Sequence, residues 1–259
     1  MSEDYDAWTR PNFQPGGGDA FLLYVVFGEF EQPFALSRKK YRSDGAPEGV
    51  TLSHFTREKH PNVFNAFTGG PFAKYLEQAG LEEAVHDSPE CVLVRGCVVD
   101  PPNLKYMQDT VGVLTCLLDQ GGVALEDSQI LRWWNPDEWR ERLFEHGEPR
   151  PNEHTVILIS DEETTDGTVW LHTRGMRKFG RPDLSIRSVN PAYQECCAEL
   201  CNRFVHLQAL GQIIPDGQKI KMRGLPDGMV CRHAGDLDDP EFNNVHVEIL
   251  WPEMAKRDG

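Results

Sequence analysis

Cys91-Val92-Leu93-Val94-Arg95-Gly96-Cys97-Val98-Val99 is followed by Asp100-Pro101-Pro102-Asn103, by an apolar-periodic run from Leu104 to Leu118, and by Gly121-Gly122-Val123-Ala124-Leu125. The first segment has the β-branched content of a strand, and the two prolines end it. Leu104, Met107, Val111, Leu114 and Leu118 then recur at helical spacing, and Val113 and Leu117 widen the apolar face, so this helix is expected to be well buried. Gly121-Gly122 stops it, and Val123-Ala124-Leu125 is short and apolar. The unit is strand, helix, strand.

The same signals recur on either side. Asn135-Pro136 offers an N-cap and a proline at N1 for a helix carrying Trp139 and Leu143. Phe21-Leu22-Leu23-Tyr24-Val25-Val26-Phe27 reads as a buried strand, and Ser37–Arg42 as a basic, solvated loop or edge strand. Pro71 to Gly80 has the asymmetry of a helix, with proline at its start and glycine past its end. Thr155–Ile159 and Thr168–His172 read as a β-hairpin around the acidic turn Asp161–Gly167. Leu184–Val189 alternates as a half-buried strand does, and Val245–Trp251 closes the chain as another. Between them, Asn190-Pro191 opens the longest helix, with the stripe Tyr193, Cys196, Cys197, Leu200, Phe204 and Leu207, stopped by Gly211.

These elements predict an α+β fold: a mixed, mainly antiparallel sheet with packed helices. The expected organisation is a flexible N-terminal arm over 1–19, ending in Pro15-Gly16-Gly17-Gly18. An α/β half over 20–148 and an α+β half over 149–259 follow, either as two halves or as one compact unit, because the Gly- and Pro-rich stretch Glu145–Asn152 is the best boundary.

Composition narrows the function. The chain has 259 residues, long enough to bury a core without staples, and a net charge of -15 from 41 acidic and 26 basic residues. Such a field repels phosphate, so no nucleic-acid partner is expected. The acidic start Met1–Asp6 lacks a signal-peptide core, and no run approaches the roughly 18 apolar residues that span a bilayer. A cytoplasmic protein with no membrane partner is the expectation. Seven cysteines at irregular spacing form no disulfide framework, and no zinc spacing is present. Cys197 and Cys201 share a helical face, where small buried cysteines are an ordinary core choice, so neither a metal nor a cofactor is expected.

Two segments stand out. His172-Thr173-Arg174-Gly175-Met176-Arg177-Lys178-Phe179-Gly180-Arg181 concentrates cations in an acidic chain. Guanidinium forks beside glycines suit a carboxylate or phosphate, which makes Arg174, Arg177 and Arg181 candidate anion-binding residues and His172 a candidate acid–base. The bland reading is a connection whose basic residues pair with local acids. Trp133-Trp134, with Trp139 close by and Arg132 beside them, has the composition of an interaction hot spot and equally of a stapled core, and Trp134 and Trp139 are the candidate partner contacts. No GxSxG, HExxH, Walker A or GxGxxG pattern occurs, and Asp236-Leu237-Asp238-Asp239 lacks the glycine and glutamate offsets of an EF-hand.

Val92–Trp139, with Thr110-Val111-Gly112 and Asp119–Ala124 leading into Leu131-Arg132-Trp133-Trp134, resembles bacterial proteins of a domain-of-unknown-function type, as does His172–Asp183. Families of that kind have members near secreted toxin genes, so the resemblance implies a bacterial, cytoplasmic immunity or accessory protein. Strong acidity, exposed-looking Trp and Arg, and the failure of every catalytic template make the leading expectation a non-enzymatic binding protein, an immunity or adaptor protein that masks a basic surface on a protein partner such as a toxin. The alternative is an enzyme acting on a small anion through the Arg/His segment at 172–181.

Overall fold

A computed structural model of the chain describes residues 7–31, 33–161 and 167–252. In chain order its strands are β1 (Ala20–Gly28), β2 (Val50–Thr56), β3 (Glu90–Val98), β4 (Gly122–Asp127), β5 (Arg132–Trp134), β6 (Val156–Asp161), β7 (Val169–Arg174), β8 (Asp183–Val189), β9 (Val230–Ala234) and β10 (His246–Leu250). The helices are α1 (Arg38–Tyr41), α2 (Pro61–Thr68), α3 (Pro71–Ala79), α4 (Glu82–Asp87), α5 (Lys105–Asp119), α6 (Pro136–Trp139) and α7 (Gln194–Ala209). The strands form two five-stranded sheets, and the fold is α+β. The chain divides into two compact units: Met1–Thr9 with Phe21–Arg150, and Arg10–Ala20 with Pro151–Gly259.

In the first unit the sheet order is β2-β3-β1-β4-β5, which puts β1 in the centre. Its residues are buried on both faces, which is why it reads as an unbroken apolar run. Val25 and Phe27 join Phe64 of α2, Leu76 of α3, Val85 of α4 and Trp133 in one cluster. On the alternate face Tyr24 meets Trp139 edge-on at 6.3 Å, and Trp139 meets Trp134 at 5.8 Å. Trp139 Nε1 donates to Thr115 Oγ1 of α5 at 3.0 Å. Every residue of α5 from Tyr106 to Leu118 is buried.

The partner-contact expectation for Trp134 and Trp139 is corrected here. Both rings are fully buried, and they tie β5 and α6 into the core beneath α5. The anticipated caps form: Asn135 accepts from Glu138 N, and Gly80 ends α3 in the left-handed region. Ser37–Arg42 is not a loop or edge strand. Ser37 caps the short helix α1 by accepting from Lys40 N.

In the second unit the order is β6-β7-β8-β10-β9, antiparallel except for β8 with β10. The hairpin β6–β7 pairs Val156 with Arg174 through Asp161 with Val169, and its acidic turn, 162–166, lies outside the described residues. Asn190 caps a 3-10 turn at Pro191–Tyr193 that leads into α7. The helix packs on β7 and β8. Its buried residues are Cys197, Leu200, Cys201, Val205, Gln208 and Ala209, a stripe shifted round the helix from the one the sequence suggested. Phe204 is half-buried and Leu207 is 38% exposed.

The stretch expected as a flexible arm is held at its described residues. Thr9 bridges Asn103 in the first unit. In the second, Asn12 N donates to the Leu210 carbonyl at 3.2 Å and Gln14 N to the Gly211 carbonyl at 2.9 Å. Residues 1–6 lie outside the described residues.

Gly112 tests the packing of α5. A Cβ there would collide with the Tyr41 carbonyl oxygen and the Ser43 side chain. Helix propensity alone favours Gly112→Ala by about 1 kcal/mol. Overpacking costs about 1–3 kcal/mol. We therefore expect Gly112→Ala to lower the urea midpoint. A raised midpoint would mean that the α1 segment yields without cost.

Candidate functional site

Alternation along β7, β8 and β10 sorts the second sheet into two chemically distinct faces. One carries the buried residues Leu171, Leu184, Ile186, Val247 and Ile249. The other carries Trp170, His172, Ser185, Arg187, His246 and Glu248. His172 lies opposite Ser185, and Glu248 is aligned with Ser185 from the other side.

On that second face the rings stack. Trp170 and His172 are 3.8 Å apart and nearly parallel, and Trp170 Nε1 donates to Ser185 Oγ at 3.0 Å. Phe242 stacks on His246 at 4.3 Å and stands edge-on to His172 at 5.7 Å. The Arg187 guanidinium lies 4.1 Å from the Trp170 ring centroid and pairs with the Glu241 carboxylate at 2.8 Å. The acidic loop before Phe242 is built on its own carboxylates. Asp236 accepts from Asp238 N, and Asp239 accepts from Glu241 N and Phe242 N.

The three predicted anion-binding arginines do not converge on an open site. Arg174 Nη2 donates to the Glu241 carbonyl at 2.7 Å, and Arg177 Nη1 to the Asn243 carbonyl at 2.7 Å. Arg181 is only 1% exposed, and its guanidinium donates to the carbonyls of Gly180, Gln14 and Gly211. The anion-site expectation is corrected for Arg181: its donors hold main chain together. His172 is also poorly suited to acid–base work near neutrality. Burial, then the positive charges of Arg174 and Arg187, push its imidazole down to about 4.

Cys197 and Cys201 lie in the core, and burial pushes each thiol up to about 12, so both are held as neutral thiols. Among the described residues, no three His, Cys, Asp or Glu side chains are placed to hold a metal ion.

A different feature of this unit is open. A groove of about 350 Å³ runs between α7 and residues 212–222, floored by Leu200, Phe204, Leu207, Ile213, Ile220 and Met222. Arg203, Lys219 and Lys221 also line it. Arg203 pairs with Glu199 at 2.7 Å, whereas Lys219 and Lys221 are exposed and meet no carboxylate among the described residues. Sequence reading missed this site. Phe204 and Leu207 were assigned to the buried stripe, and Gln218-Lys219-Ile220-Lys221 carries the only local signal, a short basic alternation.

No family model, curated protein or solved structure matches this chain. No helix among the described residues is long and apolar enough to cross a membrane.

The buried titratable groups predict the acid limb of stability. His172 is lowered from 6.5 to about 4, and burial together with the Lys178 charge lowers His154 well below 6.5. Each therefore binds its proton more weakly when folded. Their contribution is present above pH 6.5 and is lost as pH falls through the window between the unfolded and folded values. Asp183 opposes them. Burial raises its carboxyl from 3.8 to about 6, against hydrogen bonds from Asn244, Thr173 and Met176 N, so its contribution is full below pH 3.8 and lost as pH rises through about 6. Two imidazoles outweigh one carboxyl. Urea midpoints should fall from pH 7 to pH 5, and replacing His154, whose two ring nitrogens have no hydrogen-bond partner among the described residues, by His154→Leu should shrink that fall. An unchanged fall in both His154→Leu and His172→Gln would rule out imidazole burial as its cause.

Proposed function

We propose that this chain is a non-enzymatic, cytoplasmic binding protein of the immunity or adaptor kind, whose acidic surface masks a basic surface on a protein partner. One observation carries this reading. The cations of its most basic segment are turned to internal use, Arg174 and Arg177 on loop carbonyls and Arg181 on buried ones, in a chain whose net charge is -15. A guanidinium keeps its charge on a carbonyl, so the long-range field is set by the excess of 41 acidic over 26 basic residues, and it attracts a basic protein and repels a nucleic-acid backbone.

The enzyme reading loses support for the same reason. Arg181 is buried on main-chain carbonyls, Arg174 and Arg177 each give a donor to a loop carbonyl, and the acid–base candidate stays neutral down to about pH 4.

The test is kinetic. Complementary charge acts mainly on association and is screened over about 8–10 Å at ordinary ionic strength. Association with a partner recovered from the native organism should slow at least tenfold between 20 mM and 500 mM salt, with dissociation changing far less (magnitudes of the order seen for steered pairs, roughly 10–10³-fold). Salt-insensitive association, together with turnover of a phosphorylated or carboxylated metabolite that disappears in His172→Ala, would overturn the proposal in favour of the enzyme.

A further inference from the structure

The groove beside α7 has a polarity opposite to that of the chain as a whole, and nothing in the binding proposal above uses it. Ligand sites of this kind are concave, mainly apolar, and carry a few polar groups that fix orientation, with volumes of about 300–1,000 Å³. The groove falls in that range at about 350 Å³. With roughly 30 Å³ for each water-sized group, it holds on the order of a dozen heavy atoms. That suits a single alkyl chain better than the several side chains a docked helix would insert.

The wall is apolar where α7 would otherwise be solvated. Leu207 is 38% exposed, and half-buried Phe204, Ile213 and Met222 face the same space. Leaving such surface in water is unfavourable by about 25 cal/mol per Å², so an apolar chain laid on it is retained. Charge then selects the head group. Lys219 and Lys221 flank buried Ile220, and both ammonium groups are exposed without a carboxylate partner among the described residues. A cationic amphiphile is repelled at this rim, and a neutral one leaves both lysines unsatisfied by charge. An anionic bilayer surface is disfavoured by the net charge of -15.

We propose that the groove between α7 and residues 212–222 binds a medium-chain carboxylate amphiphile, its alkyl chain on Phe204, Leu207 and Ile213 and its carboxylate at Lys219 and Lys221. The experiment is equilibrium dialysis of the full chain against radiolabelled dodecanoate and dodecan-1-ol at low micromolar concentration. Saturable uptake of one dodecanoate per chain is expected, with dodecan-1-ol held at least fivefold more weakly. The double variant Lys219→Glu/Lys221→Glu should lower dodecanoate affinity at least tenfold and leave dodecan-1-ol and the melting temperature unchanged. Leu207→Glu should abolish uptake of both. If the charge-reversed double variant fails to fold, Lys219→Gln/Lys221→Gln gives the same reading at smaller amplitude.

Absence of saturable uptake overturns the proposal, as does equal affinity for acid and alcohol. So does a concentration-dependent dimer, seen by light scattering and lost in Leu207→Glu, because the groove would then be an interface between copies. Binding of an acidic, leucine-rich peptide in place of dodecanoate overturns it too. None of these outcomes bears on the salt-dependent association of a basic partner, so the two proposals fail separately.

Discussion

A guanidinium taken out of water must find acceptors for its donors, and in the second unit the burial of Arg181 sets where several segments lie. Its Nη1 reaches the Gly180 carbonyl at 2.8 Å, and its Nη2 reaches Gln14 at 2.9 Å and Gly211 at 3.1 Å. Those carbonyls belong to three segments far apart in sequence: the arm, the turn before β8 and the turn that follows α7. Gly17 lies so close over the guanidinium that a Cβ would overlap it, so glycine is required there for contact rather than for flexibility. Arg10 adds a second clamp, donating to the Ala209 and Phe179 carbonyls. Gln14 Oε1 then accepts from Ile213 N at 2.8 Å, which fixes the first residues of the groove wall. The open groove thus depends on a buried charge that never reaches it.

Asp183 does for the strand side what Arg181 does for the arm. It accepts from Thr173 Oγ1 at 2.9 Å, from Asn244 Nδ2 at 2.8 Å and from Met176 N at 3.3 Å. These bonds join β7, the turn after it and the segment entering β10. The same carboxyl is pushed upward by burial, so its network is held at neutral pH against a desolvation cost. Removing one partner would leave a buried polar group unsatisfied, and that asymmetry makes such clusters specify a geometry more than they stabilise it.

Legibility in the sequence followed the range of the interaction. Local grammar was readable: Asn135 before Pro136, Asn190 before Pro191 and Gly80 after α3 each mark an element end through contacts within a few residues. The doubly buried strand β1 was readable because both of its faces are apolar. The fate of Arg174, Arg177 and Arg181 was not, because their acceptors are main-chain carbonyls at 241, 243, 14 and 211, and a carbonyl has no letter of its own. Dense cations therefore suited a ligand site in the sequence, whereas Arg181 is a buried tie and Arg174 and Arg177 each give a donor to main chain. The error on α7 has the opposite origin. Periodicity reports which residues are apolar, and not whether a neighbouring element arrives to cover them, so Phe204 and Leu207 read as core although the segment after Gly211 leaves them facing a groove.

Net charge is similarly blind to position. A total of -15 describes the field many ångströms away, where individual charges merge, and it governs encounter with a large partner. Within a Debye length of about 8–10 Å, the nearest few charges decide. At the groove rim those include Lys219 and Lys221, which meet no carboxylate among the described residues, and Arg203, whose charge is partly offset by Glu199. The acidic protein therefore presents one local region that favours anions. A small amphiphile samples that region at contact distance, where apolar burial and two nearby ammonium groups outweigh a distant and screened repulsion.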